Sequence, residues 1–141
     1  MYARILIALE NGPADEAVVP HVAELARQFH SRLLLVHVAD GFAARHFDDL
    51  KLAESEEMKG DRAYLEGIAD RLRGGGLEVD TELALGNPPT EIVRAAESNG
   101  CDLIALAGHG HKLIGDLILG STIDRVRHNT RIPVLVVRGK R

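Results

Sequence analysis

Cysteine and aromatic residues are scarce in this chain of 141 residues. Cys101 is the one cysteine, so an internal disulfide is excluded, and so is a metal site built on paired cysteines. Aromatic residues make up 4% of the chain and tryptophan is absent, whereas hydrophobic residues of all kinds make up 45%. A chain of this length can bury enough surface to fold without crosslinks. We therefore expect a globular protein with an aliphatic core in a reducing compartment.

Positive charge and long apolar segments are also lacking. The formal net charge is -4, which argues against a nucleic-acid partner because such surfaces need a dense face of lysine and arginine. No stretch approaches the roughly 18 consecutive apolar residues of a membrane span. The first residues do not have the pattern of a secretory signal. We expect no membrane partner and a cytoplasmic location.

Two common nucleotide motifs are absent. A P-loop needs a Gly-Lys-Ser/Thr ending, and none is present. Gly108 and Gly110 begin a dinucleotide-binding string, but Leu113 stands where its third glycine should be. A dehydrogenase is therefore not indicated, and at most slow ATP hydrolysis is left open as an activity.

Short aliphatic runs alternate with segments of helical spacing. The runs lie at residues 5–9, 33–38, 77–85, 103–106 and 134–137. Most are continuous, as in strands covered on both faces, while 77–85 alternates apolar and polar residues as an edge strand does. The pattern predicts an α/β protein with a doubly wound parallel sheet and helices on both faces, so that ligands bind beyond the carboxyl ends of the strands.

Several local features carry their own expectations. The first helix either starts near Val18, with Pro20 in its first turn, or is kinked at Pro20, and the last helix is expected from about Ser121. The connection 40–52 is long enough to be a lid or simple slack. His37 is interpreted as structural and Cys101 as a small core residue. The charged run that follows is interpreted as a solvated helix face: Glu54, Glu56, Glu57, Lys59, Asp61 and Arg62.

The stretch after the fourth run has the composition of an anion site. Gly108 and Gly110 allow the backbone to approach a ligand, and Ser121 and Thr122 can donate hydroxyl hydrogen bonds at a helix start. The alternative is a tight turn followed by an ordinary N-cap at Ser121. His109 and His111 flank Gly110, but two histidines without a carboxylate or thiolate partner do not define a metal site.

The spacing of this stretch resembles the signature of the universal stress protein family. That signature is Gly, two residues, Gly, nine residues, Gly, then Ser or Thr, and this chain has Ala107, Gly110, Gly120 and Ser121 in those places. Other features occur in family order along the chain, including the ending 132–137. The resemblance implies one universal stress protein domain over residues 1–141, with an adenine nucleotide alpha hydrolase-like fold and strand order 3-2-1-4-5.

The resemblance also implies a ligand, ATP, accompanied by Mg²⁺. The implied adenosine contacts are Ala8, Leu9, Glu10, Val38 and Leu106. The implied phosphate contacts are Ala107, Gly110, Gly120, Ser121 and Thr122. Gly108 and His109 are also expected in the nucleotide site. Glu10 stands where the family usually has Asp, and Ala107 stands where it has Gly. A methyl group at position 107 fits if φ there is negative and strains the loop if φ is positive.

The last run predicts a contact between subunits. The resemblance implies a homodimer joined through the edge strand of Val134, Leu135, Val136 and Val137. The alternative is that Arg138, Lys140 and Arg141 protect a monomeric edge. The function implied is that of a stress-response protein regulated by a bound adenine nucleotide, and the alternative is a nucleotide-free dimeric interaction module of the same fold.

Overall fold

Five parallel strands form one sheet with helices on both faces. The computed structural model describes residues 1–39, 56–108 and 116–139, with backbone alone for 116–120. The elements in chain order are β1 (Arg4–Leu9), α1 (Asp15–Phe29), β2 (Arg32–Ala39), α2 (Glu56–Gly74), β3 (Val79–Leu85), α3 (Pro88–Ser98), β4 (Leu103–Gly108), α4 (Asp116–Asn129) and β5 (Val134–Arg138). The strand order is β3-β2-β1-β4-β5, which confirms the predicted architecture and the predicted edge positions of β3 and β5.

The strand register brings three strand ends to one edge of the sheet. Leu9 at the end of β1 is paired with His37 of β2, and Ile7 of β1 is paired with Ala105 of β4. The chain leaves β1 toward β2 on one side and returns to β4 on the other. The carboxyl ends of β1, β2 and β4 therefore surround the crevice where open α/β sheets bind ligands.

Alternate residues of each strand form two separate hydrophobic clusters. Ile5, Ile7 and Leu33 pack with the apolar stripes of α1 and α2. Leu6 and Leu34 face the opposite way and pack with α3 and α4. This is the doubly covered arrangement that continuous aliphatic strands require, because neither face of the sheet is left to water.

The structure excludes one of the two alternatives for the first helix and the expected start of the last helix. α1 begins at Asp15 rather than near Val18, so Pro20 lies inside the helix. Pro20 is exposed, on the solvent side of α1. α4 begins at Asp116 rather than at Ser121, so the expected helix start at Ser121 is wrong. α3 begins at Pro88, with Asn87 as its N-cap.

The charged run before Tyr64 is not uniformly solvated. Asp61 is 8% exposed and Met58 3% exposed, so the interpretation of Asp61 as part of a solvated face is wrong. The connection 40–52, interpreted as a lid or slack, lies outside the described residues, as does Glu54. Within the described ranges, no helix combines the length and apolar character of a membrane span.

Candidate functional site

A cavity of about 280 Å³ lies at the carboxyl ends of β1, β2 and β4, against α3 and α4. Its lining is mainly apolar, with a carboxylate, an imidazole and a hydroxyl at the wall. The lining residues are Ala8, Leu9, Glu10, Val36, His37, Val38, Pro88, Ile92, Leu106, Ala107, Thr122 and Ile123. A concave, mostly apolar site with few polar groups is typical of a small-molecule pocket.

Strand alternation accounts for the apolar wall of the cavity. Ala8, Val36 and Leu106 point to the face of the sheet that packs on α3 and α4. Ile92 of α3 and Ile123 of α4 close the opposite side. The cavity therefore lies between the ends of these strands and the two helices.

The structure brings most of the sequence-predicted site residues to this cavity. Those that line it are Ala8, Leu9, Glu10, Val38, Leu106, Ala107 and Thr122. Gly108 ends β4 without lining the cavity, and Ser121 is exposed on α4. Gly120 lies within α4. His109 and Gly110 are outside the described residues, as is His111.

Ala107 occupies a regular strand position. It is 5% exposed in β4, and within the described ranges the non-glycine residues of positive φ are Tyr2, Asn11 and His30. The backbone of Ala107 therefore does not adopt the left-handed conformation that would demand glycine. A methyl group fits at the first position of the motif.

Gly108 is favoured for a different reason, which is close packing. A Cβ built on Gly108 would lie 2.8 Å from Cγ1 of Val136 and 3.4 Å from Cγ of Arg138. Those two residues belong to β5, the neighbouring strand. The glycine allows β5 to lie against the end of β4, so its function here is steric rather than conformational.

Because α4 begins at Asp116, the predicted anion site does not have the helix-start donors that were expected at Ser121. Gly120, Ser121 and Thr122 follow the helix start at Asp116 by more than a turn. Backbone N–H groups at such positions bond to carbonyls four residues earlier, so they are not the unsatisfied donors of a helix start. The hydroxyl of Thr122, whose residue lines the cavity, is a polar group that α4 presents there.

A buried carboxylate fixes the backbone where β1 ends. Asp15 is 2% exposed, and its carboxylate accepts hydrogen bonds from the backbone N–H groups of Glu10 at 2.9 Å and Asn11 at 2.9 Å. The hydroxyl of Tyr64 on α2 donates to the same carboxylate at 2.6 Å. Burial, followed by this hydrogen bond to Asp15, raises the pKa of Tyr64. The neutral phenol is therefore a stable donor at physiological pH.

A second polar group connects the cavity to α2. Nδ1 of His37 lies 2.8 Å from the carbonyl oxygen of Leu9, and Nε2 lies 3.5 Å from Oδ2 of Asp61. The side-chain amide of Asn11 donates to Oδ1 of Asp61 at 2.8 Å. His37 is therefore hydrogen-bonded as predicted, and it also lines the cavity, which the sequence did not indicate.

Asp61 could have been found from helical spacing. It lies three residues after Met58 and four before Leu65, on the buried stripe of α2. A carboxylate on an apolar stripe indicates a buried partner. The surrounding charged residues hid this signal, because the whole run resembles a solvated face.

Cys101 contributes nothing to the cavity. It is buried at 5% exposure, as predicted, and burial raises the pKa of its thiol to about 11. At neutral pH it is therefore a neutral, unreactive group. In the part of the chain that the structure describes, no cluster of three or more histidine, cysteine or acidic residues could hold a metal ion.

Comparison with known proteins defines the class. The sequence matches the universal stress protein family over residues 1–138, and the chain belongs to that family. The Methanocaldococcus jannaschii universal stress protein MJ0577 is 28% identical, with 99% of this chain and 97% of that protein covered. The Coxiella burnetii universal stress protein A homolog 2 is 30% identical over 99% of this chain and 97% of its own length.

Solved structures share the fold along the whole chain. The structure of hypothetical protein MJ0577 has a TM-score of 0.82, at 28% identity, and 99% of this chain and 98% of that chain are covered. A universal stress protein from Archaeoglobus fulgidus in complex with dAMP has a TM-score of 0.72 at 22% identity, covering 96% of this chain and 98% of that one. A universal stress protein in complex with cAMP has a TM-score of 0.70 at 18% identity, with 97% of each chain covered.

Proposed function

We propose that this chain is a cytoplasmic stress-response protein that binds an adenine nucleotide, ATP, as a regulatory ligand without efficient catalysis. The observation that carries the proposal is the cavity at the switch point of the sheet, whose wall includes Ala8, Val38 and Leu106. In open α/β sheets this is the position at which nucleotides bind. Two proteins of the same fold are described in complex with dAMP and with cAMP, which supports the choice of an adenine nucleotide.

The cavity suits the nucleoside part of the ligand. Its volume of about 280 Å³ is at the lower end of small-molecule sites, so the base and ribose would fill it while the phosphates lie outside. A flat base would pack between the apolar strand ends and Ile92 of α3. Glu10 is the carboxylate at the wall, and a ribose hydroxyl is the natural donor to it.

The phosphates would lie toward the connection between β4 and α4. Ala107 of β4 and Thr122 of α4, which lie before and after that connection in the chain, both line the cavity. In this proposal Ser121 and Thr122 donate hydrogen bonds from their hydroxyl groups to the phosphates. Gly110 and Gly120 have no side chain, so that the phosphates can approach the backbone closely. Mg²⁺ would accompany the triphosphate, supplying charge neutralisation when it is bound.

Nucleotide binding is tested by removing bound ligand and titrating it back. The purified protein is denatured, the supernatant is analysed for adenine nucleotides, and the refolded stripped protein is titrated with ATP by calorimetry. Val38→Phe fills the cavity from its own wall, so ATP affinity should fall about tenfold or more. Binding of ATP with unchanged affinity by this variant would contradict the assignment of the cavity.

The matched control introduces a phenylalanine at a position outside the cavity. Leu25 is a half-buried residue of α1 that packs on the opposite face of the sheet, so Leu25→Phe should leave ATP affinity unchanged. If the wild-type protein itself does not bind ATP at millimolar concentration, the nucleotide-free interaction module becomes the better description. Turnover of ATP above background, lost in Val38→Phe, would instead indicate an enzyme.

We also propose that two copies of the chain associate through β5. This strand is an edge of the sheet, and Val136 on it is 38% exposed. An apolar edge strand with unpaired backbone groups is a template for pairing with another chain. Light scattering after gel filtration should show a dimer that Val136→Lys converts to a monomer. Phe29→Lys is the matched control, because Phe29 is exposed to a similar extent, 41%, on α1.

A further inference from the structure

A groove of about 670 Å³ lies between α1 and α2, on the face of the sheet opposite α3 and α4. Each of the two helices connects a strand to its parallel neighbour, so both run from the carboxyl edge of the sheet to its amino edge. The volume is within the range of small-molecule sites. No residue that the structure describes lines both this groove and the proposed nucleotide cavity, so the groove is a separate site.

The floor of the groove is apolar and belongs to the hydrophobic core. Four buried side chains, each at most 7% exposed, form it: Val19, Ala23, Ile68 and Leu72. Tyr64 and Arg71 line the groove two turns apart on α2, which corresponds to about 10 Å along the helix axis. An extended apolar chain of comparable length would lie along this floor and cover it from water.

Two arginines line the groove at the end nearest the amino edge of the sheet. Arg27 is in the last turn of α1 and Arg71 is in the last turn of α2. A Cβ built on Gly75, directly after α2, would lie 3.1 Å from Nη2 of Arg27. The guanidinium of Arg27 therefore extends from α1 to the end of α2, and positive charge closes this end of the groove.

The charge of Arg71 is not neutralised by an ion pair. Arg73, in the same turn of α2, pairs with Asp70 at 3.1 Å, and Arg27 pairs with Glu24 at 3.6 Å with 46% of its side chain exposed. In the described part of the chain, no carboxylate forms an ion pair with Arg71. A ligand carboxylate between the two groove arginines would form charge-assisted hydrogen bonds with them.

The opposite end of the groove is acidic, which gives the groove a direction. Asp15 and Glu16, in the first turn of α1, line that end. The carboxylate of Asp15 is 2% exposed and accepts from the hydroxyl of Tyr64, so it is already satisfied. A negatively charged head group is therefore attracted to the arginine end and repelled from the acidic end.

We propose that the groove binds a fatty acid, with the carboxylate between Arg27 and Arg71. The chain covers Val19 and Ile68 and ends near Tyr64. A fatty acid matches both properties of the groove. A fully polar anion would leave the apolar floor in water, and a neutral apolar molecule would leave the arginines without an anion. This site does not depend on the proposed nucleotide binding.

The test titrates the protein with octanoate and with octylammonium by calorimetry at low ionic strength. Both probes have an unbranched eight-carbon chain, and their charges are opposite. Octanoate should bind at millimolar concentration or below, and octylammonium should bind about tenfold more weakly or less well still. The protein has a net charge of -4, so unspecific attraction would give the opposite order. Equal affinity for the two probes, or no binding of octanoate at millimolar concentration, would overturn the proposal.

Arg71→Gln removes the unpaired charge from the groove and should lower octanoate affinity about tenfold. Arg71→Glu should lower it further and raise the affinity for octylammonium above that of the wild type. Arg125→Gln is the matched control, because Arg125 is an exposed arginine of α4 on the other face of the sheet. It should bind octanoate as the wild type does. Unchanged affinity in Arg71→Gln, or an equal loss in Arg125→Gln, would contradict the assignment of the head group.

NMR of the backbone amides locates the bound octanoate and separates this site from the nucleotide cavity. The signals of Val19, Ala23 and Ile68 should shift, and excess ATP should leave octanoate affinity unchanged. Octanoate that shifts Ala8 and Leu106 instead, or that ATP displaces, occupies the other cavity and sinks the proposal. If ATP itself does not bind, the nucleotide proposal fails while the octanoate titration still decides the groove.

Discussion

A single side chain, that of Asp15, holds the backbone of the residues that follow β1. Asp15 is 2% exposed. Its carboxylate accepts hydrogen bonds from the backbone N–H groups of Glu10 and Asn11 and from the phenol of Tyr64. Hydrogen bonds to a charged group are worth more than neutral ones. The conformation of Glu10 and Asn11 is thus set by a side chain that does not itself line the cavity.

Asp15→Asn is expected to destabilise the protein. The amide keeps one acceptor oxygen but places an NH₂ group among donors, so the free energy of unfolding should fall by about 2–3 kcal/mol. Urea denaturation followed by circular dichroism measures this. Glu24→Gln on the exposed side of α1 is the control and should change stability by less than about 0.5 kcal/mol. A loss for Asp15→Asn no larger than that of the control would contradict the role of the carboxylate.

Gly108→Ala tests the steric account of that glycine. The new methyl group would meet Cγ1 of Val136, so we expect a loss of about 1–2 kcal/mol in the free energy of unfolding. In the double variant with Val136→Ala the clash is absent, and the two single effects should not add. Additive effects in this double-mutant cycle, measured by urea denaturation, would show that the contact is not the cause.

Whole elements were predicted well where their pattern was strong. Continuous aliphatic runs gave β1, β2 and β4, and the alternation of 77–85 gave an edge strand, because burial on two faces or one leaves a distinct period. α3 begins at Pro88, and the preference of proline for the first turn of a helix is local, so a start of this kind can be read from the sequence. The start of α4 did not follow, because Ser121 suits an N-cap and also fits within a helix.

The cavity was predicted in part for the same reason. Strand ends such as Ala8, Val38 and Leu106 follow from the sheet topology, so their meeting could be anticipated. Ile92 and Ile123 have the ordinary spacing of core residues, and nothing in that spacing says that they close a cavity. The pairing of His37 with Asp61 joins residues 24 positions apart in the chain, which periodicity alone does not reveal.

The cap of α3 is a prediction at the scale of the element. The side chain of Asn87 accepts from the backbone N–H of Thr90 at 3.4 Å and from its hydroxyl at 3.0 Å. Asn87→Ala should cost about 1 kcal/mol in the free energy of unfolding, whereas Asn87→Asp keeps the acceptor and should cost less. Thermal unfolding of both variants compares them directly. Equal losses would mean that the cap does not stabilise the helix that carries Pro88 and Ile92 to the cavity.

For the whole molecule, one buried group, Cys101, and one partly buried group, Tyr64, make stability depend on alkaline pH. Burial raises the pKa of Tyr64 and raises that of Cys101 to about 11. As pH rises above about 8.5, the unfolded chain loses the cysteine proton first, so the folded state binds more protons and its stability decreases with pH. The loss from Cys101 should extend to about pH 11.

Chemical denaturation at several pH values measures this decline. Cys101→Ala removes one of the two groups, so its stability should fall less steeply between about pH 8.5 and about pH 11 than that of the wild type. Tyr64→Phe should flatten the curve at the higher end of the range. Absolute stabilities of the variants will differ for packing reasons, and the comparison therefore uses slopes. Parallel slopes for all three proteins would exclude these groups as the source.

The missing Cβ at Gly108 also has an evolutionary consequence. Because Val136 fills the space that a side chain at position 108 would need, position 108 is not free to gain a side chain while valine stands at position 136. Relatives with a larger residue at the position of Gly108 should carry alanine or glycine at the position of Val136. Co-variation between these two positions among relatives would then report a contact between the end of β4 and the edge strand β5.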